Sequence, residues 1–417
     1  MVVPKLTELT ISGFRSLRNV RLKLDGLTVL VGDNGSGKSS ILEALELLRC
    51  TAHENYPNRF ASIHGGIPLL MENGAERILL TATVDDGMTD PLTYYQGWNW
   101  GATVPLEFVQ RGEQNNSPYA TKSSNGSTIN GQNVQLNPLE TLINQGPQLD
   151  KSIATIAELL RNIDIHLPFE VGAAWSSSPQ SKTTPRGFGL LEPTARLNRF
   201  GTNLANAYQA LKNEFGIDHW SETLEYVQLG LGDNIRDVRI EAIPGGGHIA
   251  LALETRHQGR VTEFSLADGV LSYLAFVAMF RLDQHRSLLA FDEPEQHLHP
   301  GILPRVLGMF EAMSERYPVV LATHSDRLLD GLTEPTHSVV VTELDVHDRT
   351  RLRTLDEHHL SQWIEDYRGL GELRADGELL SVLQEVPAIE TTDRVPTFAS
   401  LVEVEAEAGA LPSARPG

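Results

Sequence analysis

Thr28-Val29-Leu30-Val31-Gly32-Asp33-Asn34-Gly35-Ser36-Gly37-Lys38-Ser39-Ser40 decides the fold, because an apolar strand enters a glycine-rich loop, closes on Lys-Ser and passes into a helix. That order is the setting of a phosphate-binding loop. Gly32, Gly35 and Gly37 let the backbone curl so that successive N–H groups point at an anionic phosphate. The contacts expected around a nucleoside triphosphate are Gly32, Asn34, Gly35, Ser36, Gly37, Lys38, Ser39 and Ser40. Ile41, Leu42, Ala44, Leu45 and Leu48 give the following helix one apolar face, and its positive dipole end falls at the same point. Lys38 is expected to reach the β- and γ-phosphates and Ser39 to supply a hydroxyl to Mg²⁺.

A second apolar strand, Leu288-Leu289-Ala290-Phe291, ends in Asp292-Glu293-Pro294. Ligands of open α/β sheets sit outside the carboxyl ends of strands, where the glycine loop also lies. Asp292 is therefore expected to hold the Mg²⁺ shell opposite Ser39, and Glu293 to orient and deprotonate a water aimed at the γ-phosphate. Thr323-His324-Ser325 closes a third strand, Val319 to Ala322, and places His324 as a hydrogen-bond donor to the γ-phosphate. His297 and His299 form a His-x-His with no third ligand at suitable spacing, so no metal centre is expected there.

The chain has 417 residues, 41% of them apolar, enough for about two or three domain-sized units. No run approaches a membrane span and the N-terminus lacks a signal-peptide pattern, so a cytoplasmic protein without membrane contact is expected. Cys50 is the single cysteine, which excludes an intrachain disulfide. With 34 Lys and Arg against 54 Asp and Glu, the net charge is −20, unsuited to a broad grip on nucleic acid. Local clusters remain at Lys182, Arg186, Arg196 and Arg199 and at Arg236 and Arg239. These read mainly as solvated surface charge.

Alternating Leu9, Ile11, Phe14, Val20 and Leu22 start the chain in a sheet, and Arg77 to Val84 reads as another strand. From Pro91 to Thr128, Gly, Asn, Ser and Gln dominate, and no regular structure is read there beyond a strand over Val104 to Val109. Ser152 to Ile163 and Gly201 to Phe215 read as helices, and Val261 to Leu282 as one long apolar helical pattern. The expected division is 1–90, an N-terminal lobe with the glycine loop; 91–255, an insertion and helical segment; 256–384, the carboxylate and histidine lobe; and 385–417, a loose tail. There is no sustained heptad repeat.

Together these segments resemble the ABC-type ATPase heads of the SMC and RecF-like superfamily, in particular short AAA-family ATPases without a long coiled coil, related to OLD-family ATPase domains. The opening Leu9-Thr10-Ile11-Ser12-Gly13-Phe14-Arg15-Ser16-Leu17 is similar to that group's first strand. Asp292 to Glu295 with His297-Leu298-His299-Pro300 is similar to its Walker B and D-loop, and Thr323-His324-Ser325 to its switch histidine. Leu266-Ala267-Asp268-Gly269-Val270 stands at the signature, with Ala267 where a serine is usual. Gly201 with Asn203-Leu204, and Leu370-Gly371-Glu372-Leu373, also match.

The resemblance implies an α/β fold: a P-loop head with a mixed central sheet, an antiparallel N-terminal sheet and a helical or irregular insertion. It further implies ATP and Mg²⁺ as cofactors, ATP hydrolysis, a nucleotide contact from Arg15, and a homodimer sandwiching ATP through Asp268 and Gly269. Gln110 is the candidate for the glutamine loop. The function expected is a switch in DNA repair or anti-phage defence, with DNA as a partner; the alternative is an ATP-gated scaffold restraining a nuclease- or toxin-like effector encoded nearby. A transporter subunit fits less well, since the adenine-stacking aromatic is not apparent. Nuclease activity in cis is not expected, because Glu343, Asp345 and Asp348 are too isolated.

Overall fold

Alternate residues of each short apolar strand face opposite cores, and this is why the central strands carry almost no polar residue. Val29, Val31, Leu289, Phe291, Val319, Leu321, Val339 and Val341 pack on one side with the helices Leu204–Asn213, Asp268–Arg281 and Leu303–Ser314. Leu30, Leu288, Ala290, Val320 and Ala322 pack on the other with the helices Lys38–Thr51 and Lys151–Arg161. The structure, a computed structural model, describes residues 3–56, 65–100, 102, 104–112, 118–169, 171, 185–186, 189–244, 246–282, 285–356, 370–375, 379 and 382–386. Lys182 and residues 387–417 of the expected tail lie outside them.

The central sheet has seven strands in the order Ile163–His166, Leu288–Asp292, Val319–Thr323, Leu27–Gly32, Val339–Leu344, Thr350–Leu355, Leu383–Glu385. Strands from Ile163–His166 through Val339–Leu344 run parallel, and the last two join antiparallel, so the sheet is mixed. Asp292 lies in register with Ala322, and Val31 with Thr323, which brings the carboxyl ends of the three motif-bearing strands to one edge.

An eight-stranded antiparallel sheet covers the helix that follows the glycine loop, in the order Leu17–Lys23, Lys5–Phe14, Arg77–Asp85, Leu92–Asn99, Leu106–Arg111, Ala120–Ser123, Gly126–Ile129, Gln132–Val134. The expected fold class is thus observed, with one correction inside it. The described residues of 91–128 are not irregular: Leu92–Asn99, Leu106–Arg111, Ala120–Ser123 and the start of Gly126–Ile129 are strands of a meander, and the polar sequence between them outweighs them in composition. Ile129 pairs with Gln132 across Asn130-Gly131, both at positive φ (51° and 74°), the geometry of a type I′ hairpin turn.

A third, four-stranded sheet is built on the antiparallel pair Ile235–Ile243 and His248–Thr255. From it the chain passes through the strand Gly259–Thr262 and the turn Glu263–Ser265 into the helix Asp268–Arg281. The single helical pattern expected over Val261 to Leu282 therefore begins only at Asp268. Among the described residues no helix is long and apolar enough to cross a membrane.

Candidate nucleotide-binding site

The glycine loop is shaped from behind by neighbouring strands. Gly37 has φ 103°, and a methyl group there would lie 2.2 Å from Thr350 Oγ1; on Gly32 it would lie 2.1 Å from the Thr342 carbonyl oxygen. Gly32 is thus required by the close approach of the adjoining strand, Gly37 by backbone conformation as well. The hydroxyls that crowd them also hold the loop. Ser36 Oγ is 2.6 Å from Thr342 Oγ1, Thr350 Oγ1 donates to the Ser36 carbonyl at 2.9 Å, and Ser16 Oγ lies 2.8 Å from Thr350 Oγ1.

Lys38 folds over the loop and donates to the carbonyls of Gly32 (2.8 Å) and Asp33 (3.0 Å), which keeps its ammonium at the loop mouth. Burial lowers its pKa, while Asp292 and Glu293 pull in the opposite direction. A cation already stripped of part of its water and aimed into a glycine-rich loop is suited to an anionic phosphate.

Ser39 Oγ donates to Asp292 Oδ2 at 3.1 Å, joining residues 253 apart in the chain. Burial raises the Asp292 carboxyl above its ordinary range; Ser39 opposes the shift and the charge of Glu293 adds to it. A half-desolvated carboxylate beside a hydroxyl and a second carboxylate is stabilised by a hard cation, so these oxygens fit Mg²⁺. Among the described residues no group of three or more His, Cys, Asp and Glu could hold a metal unaided. Mg²⁺ is commonly bound by one or two protein oxygens together with substrate phosphates, and this donor set matches that pattern.

Glu293 sits in the left-handed region (φ 48°), and its amide donates to the Ala322 carbonyl at 2.7 Å. Strain of this kind on a non-glycine residue concentrates at working sites. Its carboxylate accepts from Gln296 and lies 3.7 Å from His324 Nε2. Lys38, Ser39, Asp292, Glu293 and His324 are therefore brought to one end of the central sheet.

Other expected site residues have partners within the chain. The guanidinium of Arg15 is engaged by both carboxylate oxygens of Glu43. Asp268, in the first turn of its helix, accepts from Arg186 at 2.5 Å, and a methyl group on Gly269 would lie 2.9 Å from the His297 carbonyl oxygen. The signature thus packs against the stretch that follows the carboxylate strand. Gln110 is buried within the strand Leu106–Arg111, in register with Thr93, and is not in a loop.

Arg186 corrects the reading of its cluster as solvated charge. It is fully buried and donates to the carbonyls of Val171, Glu263, Phe264 and Leu266 as well as to Asp268. Arg199 pairs with Glu46 at 2.6 Å, Arg239 with Glu254, and Arg196 donates to Asn162 Oδ1 and the His285 carbonyl. Further residues had no role in the sequence reading. Glu295 Oε1 accepts from Thr323 Oγ1 (2.6 Å) and from the His324 amide (3.3 Å), and Arg374 donates to the His324 carbonyl (2.9 Å). Their neighbours Asp292-Glu293 and Leu370 to Leu373 were the available signals.

A family model described as "AAA domain, putative AbiEii toxin, Type IV TA system" matches residues 157–330, and one described as "AAA ATPase domain" matches residues 5–85. The Old nuclease of Escherichia phage P2 is 24% identical over 365 residues, 78% of this chain; the chain spans 57% of that relative's length. Among solved structures, an Smc head bound to the C-terminal winged-helix domain of ScpA aligns with TM-score 0.52 at 14% identity, over 86% of this chain and 99% of that one. An Smc head with an extended coiled coil, bound to the C-terminal domain of ScpA and derived from Pyrococcus furiosus, aligns with TM-score 0.51 at 14% identity, over 87% and 99%. Two segments of this chain are thus similar to AAA ATPase domain models, most of its length is similar to part of the Old nuclease, and its fold is that of the Smc heads.

Proposed function

We propose that this chain binds ATP with Mg²⁺ at the glycine loop, hydrolyses it, and dimerises around it as a switch in DNA repair or anti-phage defence. The observation that carries the proposal is the Ser39–Asp292 contact with Glu293 and His324 beside it, because loop, carboxylate pair and histidine come from three strand ends that meet only through the fold. Lys38 would neutralise phosphate charge, Ser39 and Asp292 would hold Mg²⁺, Glu293 would accept a proton from the attacking water, and His324 would hydrogen-bond the γ-phosphate. Asp268 and Gly269, at the start of a helix, would meet the nucleotide of a second copy through amides and helix dipole. Loss of the γ-phosphate removes the anion those amides hold and loosens the pair.

The test compares Lys38→Ala and Glu293→Gln. Lys38→Ala is expected to abolish nucleotide binding; Glu293→Gln is expected to bind ATP, to lose turnover by about a hundredfold or more, and to accumulate as a dimer in Mg-ATP. A Glu293→Gln protein that stays monomeric at saturating Mg-ATP contradicts the sandwich.

The alternative, an ATP-gated scaffold restraining an effector protein, is favoured by the charge arrangement. Arg186, Arg196, Arg199 and Arg239, which offered DNA contacts, are turned inward or paired with acceptors of the chain. Stimulation of ATP turnover by double-stranded DNA at low salt supports the switch on DNA; no stimulation and no binding supports the scaffold.

A further inference from the structure

Leu370-Gly371-Glu372-Leu373 has no part in the site described above, yet the fold lays this stretch on the turn that presents His324. The helix Leu370–Ala375 packs on the helix Asp326–Asp330, with Leu370 and Leu373 buried beside Leu328 and Leu329. The Gly371 amide donates to Asp330 Oδ1 at 2.7 Å, and a methyl group on Gly371 would lie 2.4 Å from the Asp326 carbonyl oxygen, so only glycine allows so close an approach. This docking delivers Arg374. One nitrogen of its guanidinium donates both to the His324 carbonyl and to Asp326 Oδ1, each at 2.9 Å.

We infer that Arg374 is a positioning residue for ATP hydrolysis, one that fixes the peptide after His324 and thereby aims its imidazole; the inference rests on the ATPase reading above. His324 leaves its strand on a short turn. Glu295 holds the turn from the front, through the His324 amide and the Thr323 hydroxyl, and Ser325 caps the next helix by accepting from Leu328 N at 3.3 Å. Among the described residues only Arg374, itself bonded to Asp326, closes the turn on the carbonyl side. If its bond to the carbonyl is removed, the peptide keeps the donation of the Ser325 amide to Thr323 Oγ1 (2.9 Å) but loses its hold on the carbonyl side, and the imidazole, 3.7 Å from Glu293, is aimed less firmly.

The experiment measures kcat for ATP and the affinity for a fluorescent ATP analogue with Mg²⁺, using the full chain carrying Arg374→Ala, Arg374→Lys, Asp326→Asn or the double change Arg374→Ala with Asp326→Asn. Arg374→Ala is expected to lower kcat by about tenfold to a hundredfold, the effect of losing a charge-assisted hydrogen bond that supports the transition state, with affinity changed less than about threefold. Arg374→Lys is expected to recover part of the loss, because one ammonium can reach either acceptor. The double change is expected to fall well short of the product of the single effects. A folded Arg374→Ala protein with unchanged kcat overturns the inference, as does a loss of affinity as large as the loss of kcat. Should Arg374→Ala fail to fold, Asp326→Asn decides: a severalfold lower kcat supports the inference and an unchanged kcat overturns it. A wild-type chain without turnover overturns the ATPase reading and this inference with it, whereas wild-type turnover that Arg374→Ala retains overturns this inference alone.

Discussion

Two glycines with left-handed backbones carry different burdens. Gly26 (φ 65°) has open space where a side chain would go, whereas a methyl group on Gly37 (φ 103°) would meet Thr350 Oγ1 at 2.2 Å. Gly26→Ala is therefore expected to cost only the left-handed penalty of about 1–2 kcal/mol, and Gly37→Ala clearly more, since the loop must also part from Thr350. Urea unfolding of the two variants checks the difference, and equal costs would show that the Thr350 contact gives way freely. Glu263 supplies a pH prediction. Burial in the turn before the signature helix pushes its carboxyl up to about 8; the Leu251 amide donates to it and opposes the shift. Between the ordinary carboxylate range of about 4.3 and the folded value, the folded chain keeps a proton that the unfolded chain releases. Stability from this group is thus fully present at low pH and lost as pH rises through about 8. Glu263→Gln is expected to match wild type in unfolding midpoint at pH 5 and to exceed it at pH 9. A pH-independent difference between the two proteins would count against a buried titration.

At the scale of elements, the strand Leu288–Asp292 joins core to chemistry. Phe291 is almost fully buried, stacks on His166 at 5.6 Å and packs against Phe169, Phe276 and Phe310, one residue before Asp292. Phe291→Ala is expected to cost about 3–5 kcal/mol, most of the stability of a marginal domain, and to loosen the Asp292 register with Ala322. Thermal unfolding with and without Mg-ATP measures both effects. This strand was legible in the sequence, because a wholly apolar run ending in acid takes its meaning from the glycine loop upstream, and so was the loop, because strand, glycines, Lys-Ser and helix follow one another directly. What escaped notice depended on partners distant in the chain. Arg186 looked solvated because its acceptors lie at Glu263 to Asp268, and Thr342 and Thr350 showed no sign of lying behind Gly32 and Gly37. The hairpin at Asn130-Gly131 was a local signal passed over, since the polar composition around it hid strands of only three or four residues.

For the whole molecule, charge sets how it can associate. Two copies each carrying a net charge of −20 repel at long range, so any pairing must be held by short-range contacts, which the proposed function puts at the nucleotide. Salt screens that repulsion, with a Debye length falling from roughly 14 Å near 0.05 M to roughly 6 Å near 0.3 M. The ATP-held dimer of Glu293→Gln is therefore expected to tighten as salt rises over this range. DNA binding runs the other way, because each phosphate neutralised releases a counterion and added salt weakens the complex. One salt titration in Mg-ATP, followed by sedimentation without DNA and by anisotropy with a labelled duplex, separates the two kinds of association. A dimer that weakens with salt would mean that attraction between oppositely charged patches, not the nucleotide, holds the copies together. Duplex binding that persists undiminished at the higher salt would require contacts to bases or DNA shape, which the buried Arg186 and the paired Arg196 and Arg199 are poorly placed to supply.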